Sequence, residues 1–168
     1  MDIGLRTQIW NELVTNKFRI YYYDEHIKRI SKYNRILNTI LSLVAFSSMS
    51  VWAITSEHPK LWAAIISLTA IYSFAIKPYY SFEKSLLDLR KLNTFLTQKF
   101  LYLEILLHDL DYNYINSQYA HDLYFKIREE IENIDDIIDI PSYKNDSIEG
   151  IARLKTLSYL KNIYGINP

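Results

Sequence analysis

The chain has 168 residues, 49% apolar and 15% aromatic, with 19 basic against 19 acidic side chains, no Cys, 3 Gly and 4 Pro. That composition is too apolar for a disordered chain and too poor in turn residues for a many-stranded sandwich or barrel. It also lacks the thiols for disulfides, thiolate metal sites or a cysteine nucleophile. A net charge of zero argues against a dedicated nucleic-acid binder, whose affinity comes from Lys and Arg neutralising phosphates.

The zero conceals a division. Residues 1–100 carry 13 Lys/Arg against 7 Asp/Glu, and residues 101–168 carry 6 against 12. The basic half also holds the most apolar segments, as expected of a half that faces anionic headgroups. Met1 to Trp10 has neither a basic opening nor an apolar core, so no signal peptide is expected there.

From Leu5 to Arg35 there is no Gly or Pro, and Ile9, Leu13, Ile20, Ile27 and Ile30 mark a loose apolar face of a helix. Ile36 to Ser56 then gives 21 residues without a charge, about 31 Å as a helix and close to the hydrocarbon thickness of a bilayer. After Glu57-His58-Pro59-Lys60, a second uncharged run extends from Leu61 to Ile76. It covers about 24 Å, or about 30 Å if Lys77 snorkels and the span continues to Tyr80. Pro59 suits the first turn of that helix, where its missing N–H costs nothing. Lys28, Arg29, Lys32 and Arg35 precede the first run, and Lys77, Lys84, Arg90 and Lys91 follow the second. By the positive-inside rule, a membrane hairpin over 36–80 has both termini in the cytoplasm, with Trp52, Trp62, Tyr79 and Tyr80 near the interfaces. The competing reading is a hairpin buried inside a helical protein, since Asn38, Thr39, Ser42 and several serines weaken the first run.

Downstream, Phe82, Leu86, Leu89, Asn93, Leu96, Phe100, Leu103, Leu107 and Leu110 alternate spacings of three and four. This is a heptad seam with one polar member, widened by Leu92, Leu101, Ile105 and Leu106. A further amphipathic helix is predicted from Ser117 to Ile140, ended by Pro141, and a last one from Ser147 to Tyr164, stopped by Gly165. Gly150 leaves the start of the last helix open. No alternating run supports a strand. The predicted fold is all-α: a cytoplasmic N-terminal helix over 1–35, the transmembrane hairpin over 36–80, and a cytoplasmic helical region over 81–168, the long helices forming a bundle.

Several constellations carry chemistry in other proteins. His108-Asp109-x-Asp111 and His121-Asp122 offer five metal-competent side chains, but at the wrong spacing and with Asp in a turn that favours it for local hydrogen bonding. No metal or cofactor site is assigned. Three glycines cannot supply a P-loop, a dinucleotide fingerprint or a nucleophile elbow, so no catalytic residue is expected. The acidic run from Glu129 to Asp139 reads as a solvated face or as an interface needing a basic neighbour. Inside the apolar runs nothing is ionisable, which argues against a proton relay or voltage sensor. Thr39, Ser47 and Ser50 share one side of the first helix; Ala63, Ser67 and Ala70 share a narrow face of the second that allows close helix approach. These six are the candidates for membrane helix packing or for lining a pore, and Asn93 is the candidate for fixing oligomer register.

The order of parts resembles the SLATT families, two-transmembrane effectors associated with SMODS nucleotidyltransferases and SLOG domains in bacterial conflict systems. The likeness rests on Trp10, on Thr15-Asn16-Lys17-x-Arg19, on the basic approach Lys28–Arg35, on the paired runs and on the Leu-rich helix from Phe82. Residues beyond Pro141 have no counterpart in it. The resemblance implies an inner-membrane effector that oligomerises to form a pore or disrupt the membrane, arresting or killing the cell. Its implied partners are membrane lipids, further copies of itself, and a sensor or nucleotide-signal-producing protein. The alternative is a membrane-anchored adaptor whose cytoplasmic helices recruit a partner.

Overall fold

A computed structural model of the chain describes residues 3–50, 59–72, 82–137 and 145–165; within them the side chains of 44–50, 59–62, 65, 66, 82, 83 and 135–137 are not described. Helices α1 (Ile3–Ser50), α2 (Pro59–Ile71), α3 (Phe82–Asp111), α4 (Ser117–Ile137) and α5 (Asp146–Tyr164) follow one another, and no strand occurs among the described residues. The all-α class stands.

Two compact units emerge, one made of Met1–Ile27 with Leu87–Pro168, the other of Lys28–Leu86. The first unit is a helical bundle in which the start of α1 packs with α3, α4 and α5. Leu5, Ile9, Leu13 and Ile20 enter its core from α1, at spacings of four, four and seven. From α3 come Leu92, Leu96, Phe100, Leu103, Leu106, Leu107 and Leu110, and from α4 Ala120, Tyr124, Ile127 and Ile131. From Leu86 to Leu110 the apolar members of the heptad seam are therefore buried within the chain; the Phe82 side chain lies outside the described residues. Of the residues that widen it, Leu92 and Leu106 are buried, while Leu101 and Ile105 remain more than half exposed. A face covered on one side only is what a surface helix presents.

The helix ends have local causes. Asn113 takes the left-handed conformation (φ 56°) and closes α3, with Tyr114 N–H donating to the Asp109 carbonyl at 2.8 Å. Asn116 then caps α4, its side-chain oxygen accepting from Tyr119 N–H at 2.7 Å. Asn145 does the same for α5 through Ile148 N–H at 3.2 Å. Gly165 (φ 68°) ends α5, a conformation that costs other residues far more. Gly150 lies one turn inside α5 rather than at its start.

In the second unit, the end of α1 and α2 carry the apolar runs. Among the described residues no helix is long and apolar enough to cross a membrane. The described part of α2 has 13 residues, and hydroxyls and amides dilute the end of α1. Both expected spans, Ile36–Ser56 and Leu61–Ile76, continue into residues 51–58 and 73–80, outside the described residues.

Candidate functional site

The densest grouping of functional side chains lies in the first unit, where α1, α3 and α5 meet. Lys17 continues the inward side of α1 between Leu13 and Ile20. Its ammonium sits 3.8 Å from the centre of the Tyr159 ring, 4.2 Å from that of Phe100 and 5.3 Å from that of Tyr21. Ring faces are negative, so a cation there recovers part of what it loses on leaving water. Burial pulls the Lys17 ammonium below its ordinary value, and the charge of Glu104 opposes that shift.

Glu104 is the anionic end of the same group. One of its carboxylate oxygens accepts from the hydroxyls of Tyr159 at 2.7 Å and Tyr164 at 2.9 Å. Burial first, then the bond and charge of Glu104, push both phenols well above their usual value. Tyr164 also meets Trp10 edge-on at 4.8 Å, and Lys155 pairs with Glu25. The last helix is thus fastened to α1 and α3 by rings, hydroxyls and an ion pair. Trp10 and Lys17 belong to the residues that carry the resemblance. The remaining members were not legible, because Glu104, Tyr159 and Tyr164 are ordinary helix residues until α5 is laid beside them. The one available signal was the run Leu13, Asn16, Ile20, where a polar residue occupies a seam position.

Asn16 itself is 1% exposed; its amide nitrogen donates to the Leu96 carbonyl at 3.4 Å, and its oxygen has no partner among the described residues. Asn93, the residue expected to fix register, lies half-buried on α3 between Leu89 and Leu96, its side-chain oxygen likewise unpartnered among the described residues.

No family model, curated protein or solved structure matches the chain.

The second unit holds the six residues expected on the hairpin. Thr39 is exposed, and its hydroxyl donates to the Arg35 carbonyl at 2.9 Å. With Ser31, Asn34, Arg35, Asn38 and Ser42 it lines a shallow, open polar groove along α1 that sequence reasoning missed. Ser42 donates to the Asn38 carbonyl at 2.8 Å. Ser47 and Ser50 lie in α1, but their side chains are outside the described residues. Ala63, Ser67 and Ala70 are all exposed on α2, and Ser67 donates to the Ala63 carbonyl at 2.7 Å. The structure thus leaves the small face of α2 uncovered.

The histidines do not converge. His108 contacts Asp109 at 3.3 Å, His121 contacts Asp122 at 3.5 Å, and Asp111 accepts two bonds from Arg6. Among the described residues no group of three or more His, Asp or Glu could hold a metal ion. Within the acidic run, Glu130 pairs with the nearly buried Lys99 of α3 and Glu132 with Arg128 one turn earlier. The basic neighbour of Glu130 is supplied by the bundle itself.

Proposed function

We propose that the chain is an oligomeric two-span membrane effector of a bacterial conflict system, opening a leak in the inner membrane when a partner or signal triggers it. The observation that carries this reading is where the apolar core ends. The buried core cluster draws all its described members from the first unit, which itself leaves Leu101, Ile105, Leu154 and Ile163 exposed. The second leaves Ile36, Ile40, Leu43, Leu68 and Ile71 between 45% and 67% exposed, within runs that carry no charge from 36 to 56 and from 61 to 76. The bundle's exposed aliphatics stand among charged residues, whereas these lie in uncharged runs of near-bilayer length, which favours a second apolar phase.

In this reading the hairpin over 36–80 enters the bilayer as a pair, because neither run is strongly apolar alone. The uncovered Ala63, Ser67 and Ala70 face receives a neighbouring copy, and the polar groove of α1 with Thr39 supplies the wettable side of a path between copies. The bundle stays in the cytoplasm and sets the resting arrangement. A trigger shifts the population only by binding the two arrangements unequally.

The test uses the full chain reconstituted in liposomes with an entrapped dye. Efflux is expected from the wild type and its loss in Ala63→Leu and Ser67→Leu, with both variants still resisting extraction from membranes at alkaline pH. Stable insertion without efflux would leave the adaptor reading instead. Undiminished efflux in both variants would remove helix packing through that face.

A further inference from the structure

On α1, an exposed face is ordered by polarity along its axis. At about 100° per residue, Arg29, Lys32, Tyr33, Ile36, Ile40 and Leu43 fall within an arc of about 100°. Arg29 and Lys32 are exposed, Tyr33 is 56% exposed, and Ile36, Ile40 and Leu43 are 45%, 51% and 64% exposed. Two bases come first, then a phenol, then three aliphatics as far as Leu43, one turn before Ser47. The polar groove residues Ser31, Asn34, Arg35, Asn38 and Ser42 occupy the opposite arc, so this order belongs to one side of the helix. No Asp or Glu occurs between Glu25 and Glu57 to neutralise it.

From this we infer that the Arg29–Leu43 face of α1 is a lipid-contact surface whose Arg29 and Lys32 bind the phosphates of anionic phospholipids. The inference rests on the membrane reading and names the lipid class it takes. Spacing supports the assignment. The headgroup layer is about 5–8 Å deep on each side of the hydrocarbon. Lys32 lies four residues before Ile36, about 6 Å along the axis, and Arg29 about 10 Å before it. Lys32 is therefore at phosphate depth, and Arg29 lies at the outer edge of the headgroup layer, where its long side chain is within range of the phosphates. Tyr33 falls at the boundary, where a ring with one polar end is favoured. A zwitterionic surface gives these bases no net field, whereas an anionic leaflet attracts them.

The experiment reconstitutes the full chain in phosphatidylcholine bilayers with a trace of spin-labelled phosphatidylglycerol or spin-labelled phosphatidylcholine and compares the motionally restricted fractions. The wild type is expected to restrict phosphatidylglycerol several-fold more than phosphatidylcholine. That preference should weaken in high salt, since headgroup charges are screened, and persist in millimolar inorganic phosphate at constant ionic strength, which excludes a free-phosphate site. It should fall towards equality in Arg29→Gln/Lys32→Gln and be restored in Arg29→Lys/Lys32→Arg. Arg153→Gln, an exposed base on α5, should leave it unchanged. Equal restriction of the two lipids by the wild type, or a preference undiminished in the Gln pair, would overturn the inference while leaving insertion intact. No restricted fraction for either lipid would remove the membrane reading beneath it.

Discussion

The buried amides and the Lys17 cluster are where single side chains decide most. Asn93 interrupts an apolar seam with an oxygen that finds no partner among the described residues, and an unmet buried acceptor costs about 1–3 kcal/mol. Asn93→Leu is therefore expected to raise bundle stability by about 1 kcal/mol, read as an upward shift of the thermal midpoint; an unchanged or lower midpoint would mean that the amide is satisfied in solution. The pH response follows from the phenols. Tyr159 and Tyr164 hold their protons in the folded chain above the value near 10 at which the unfolded chain releases them. Their contribution is fully present below pH 10 and is lost as pH rises through the folded values. Lys17 has the opposite sign: its folded value is lowered from 10.5, so between the two values stability rises with pH. Burial raises Tyr21, Tyr22 and Tyr124 as well, and five tyrosines against one lysine make the net trend above pH 10 a decline. Replacing both phenols in Tyr159→Phe/Tyr164→Phe is expected to flatten that decline, as seen in denaturant midpoints taken from pH 8 to 11.

Helix α5 offers the cleanest test of an element. Gly150 sits inside it with a conformation other residues adopt readily, and a Cβ there would meet nothing within 4 Å. Gly150→Ala should stabilise the helix by about 0.5–1 kcal/mol. Asn145→Ala should destabilise it by about 1 kcal/mol through the lost cap. Amide hydrogen exchange confined to 145–165 reads both. On α3, Leu103 is fully buried, and Leu103→Ala is expected to cost about 2–5 kcal/mol. Leu101→Ala, on the exposed side of the same helix, should cost well under half of that. The end of α3, the start of α4 and both ends of α5 were largely legible, because turn residues, caps and spacing act within a few residues; the expected stop of α4 at Pro141 lies outside the described residues. That α1 runs unbroken through residue 35 to Ser50 follows from the lack of any Gly, Pro or cap between them.

At the scale of the whole molecule, the two units differ in what they do with apolar side chains. The bundle forms a buried core while leaving Leu101, Ile105, Leu154 and Ile163 exposed; no described residue of the unit over Lys28–Leu86 joins that core. Single-tryptophan variants make that difference measurable under the membrane reading. Emission from Trp52 or Trp62 should be quenched by lipids brominated on their acyl chains, while Trp10, packed against Tyr164 in the bundle, should be unaffected. Quenching of Trp10 alone would reverse the roles given to the two units.

Composition, period and capping residues are local quantities, and by themselves they determined that this chain is helical, where α3 and α5 stop, and that two uncharged runs follow one another between basic flanks. They could not determine partners across the bundle. The tertiary structure decided that the apolar members of the α3 seam from Leu86 to Leu110 are buried within the chain, that Glu130 meets Lys99, and that Lys17, Glu104, Tyr159 and Tyr164 form one group. Side chains more than 50 residues apart acquire a shared environment only when helices pack, and the energy of a charge depends on that environment far more than on its neighbours in sequence.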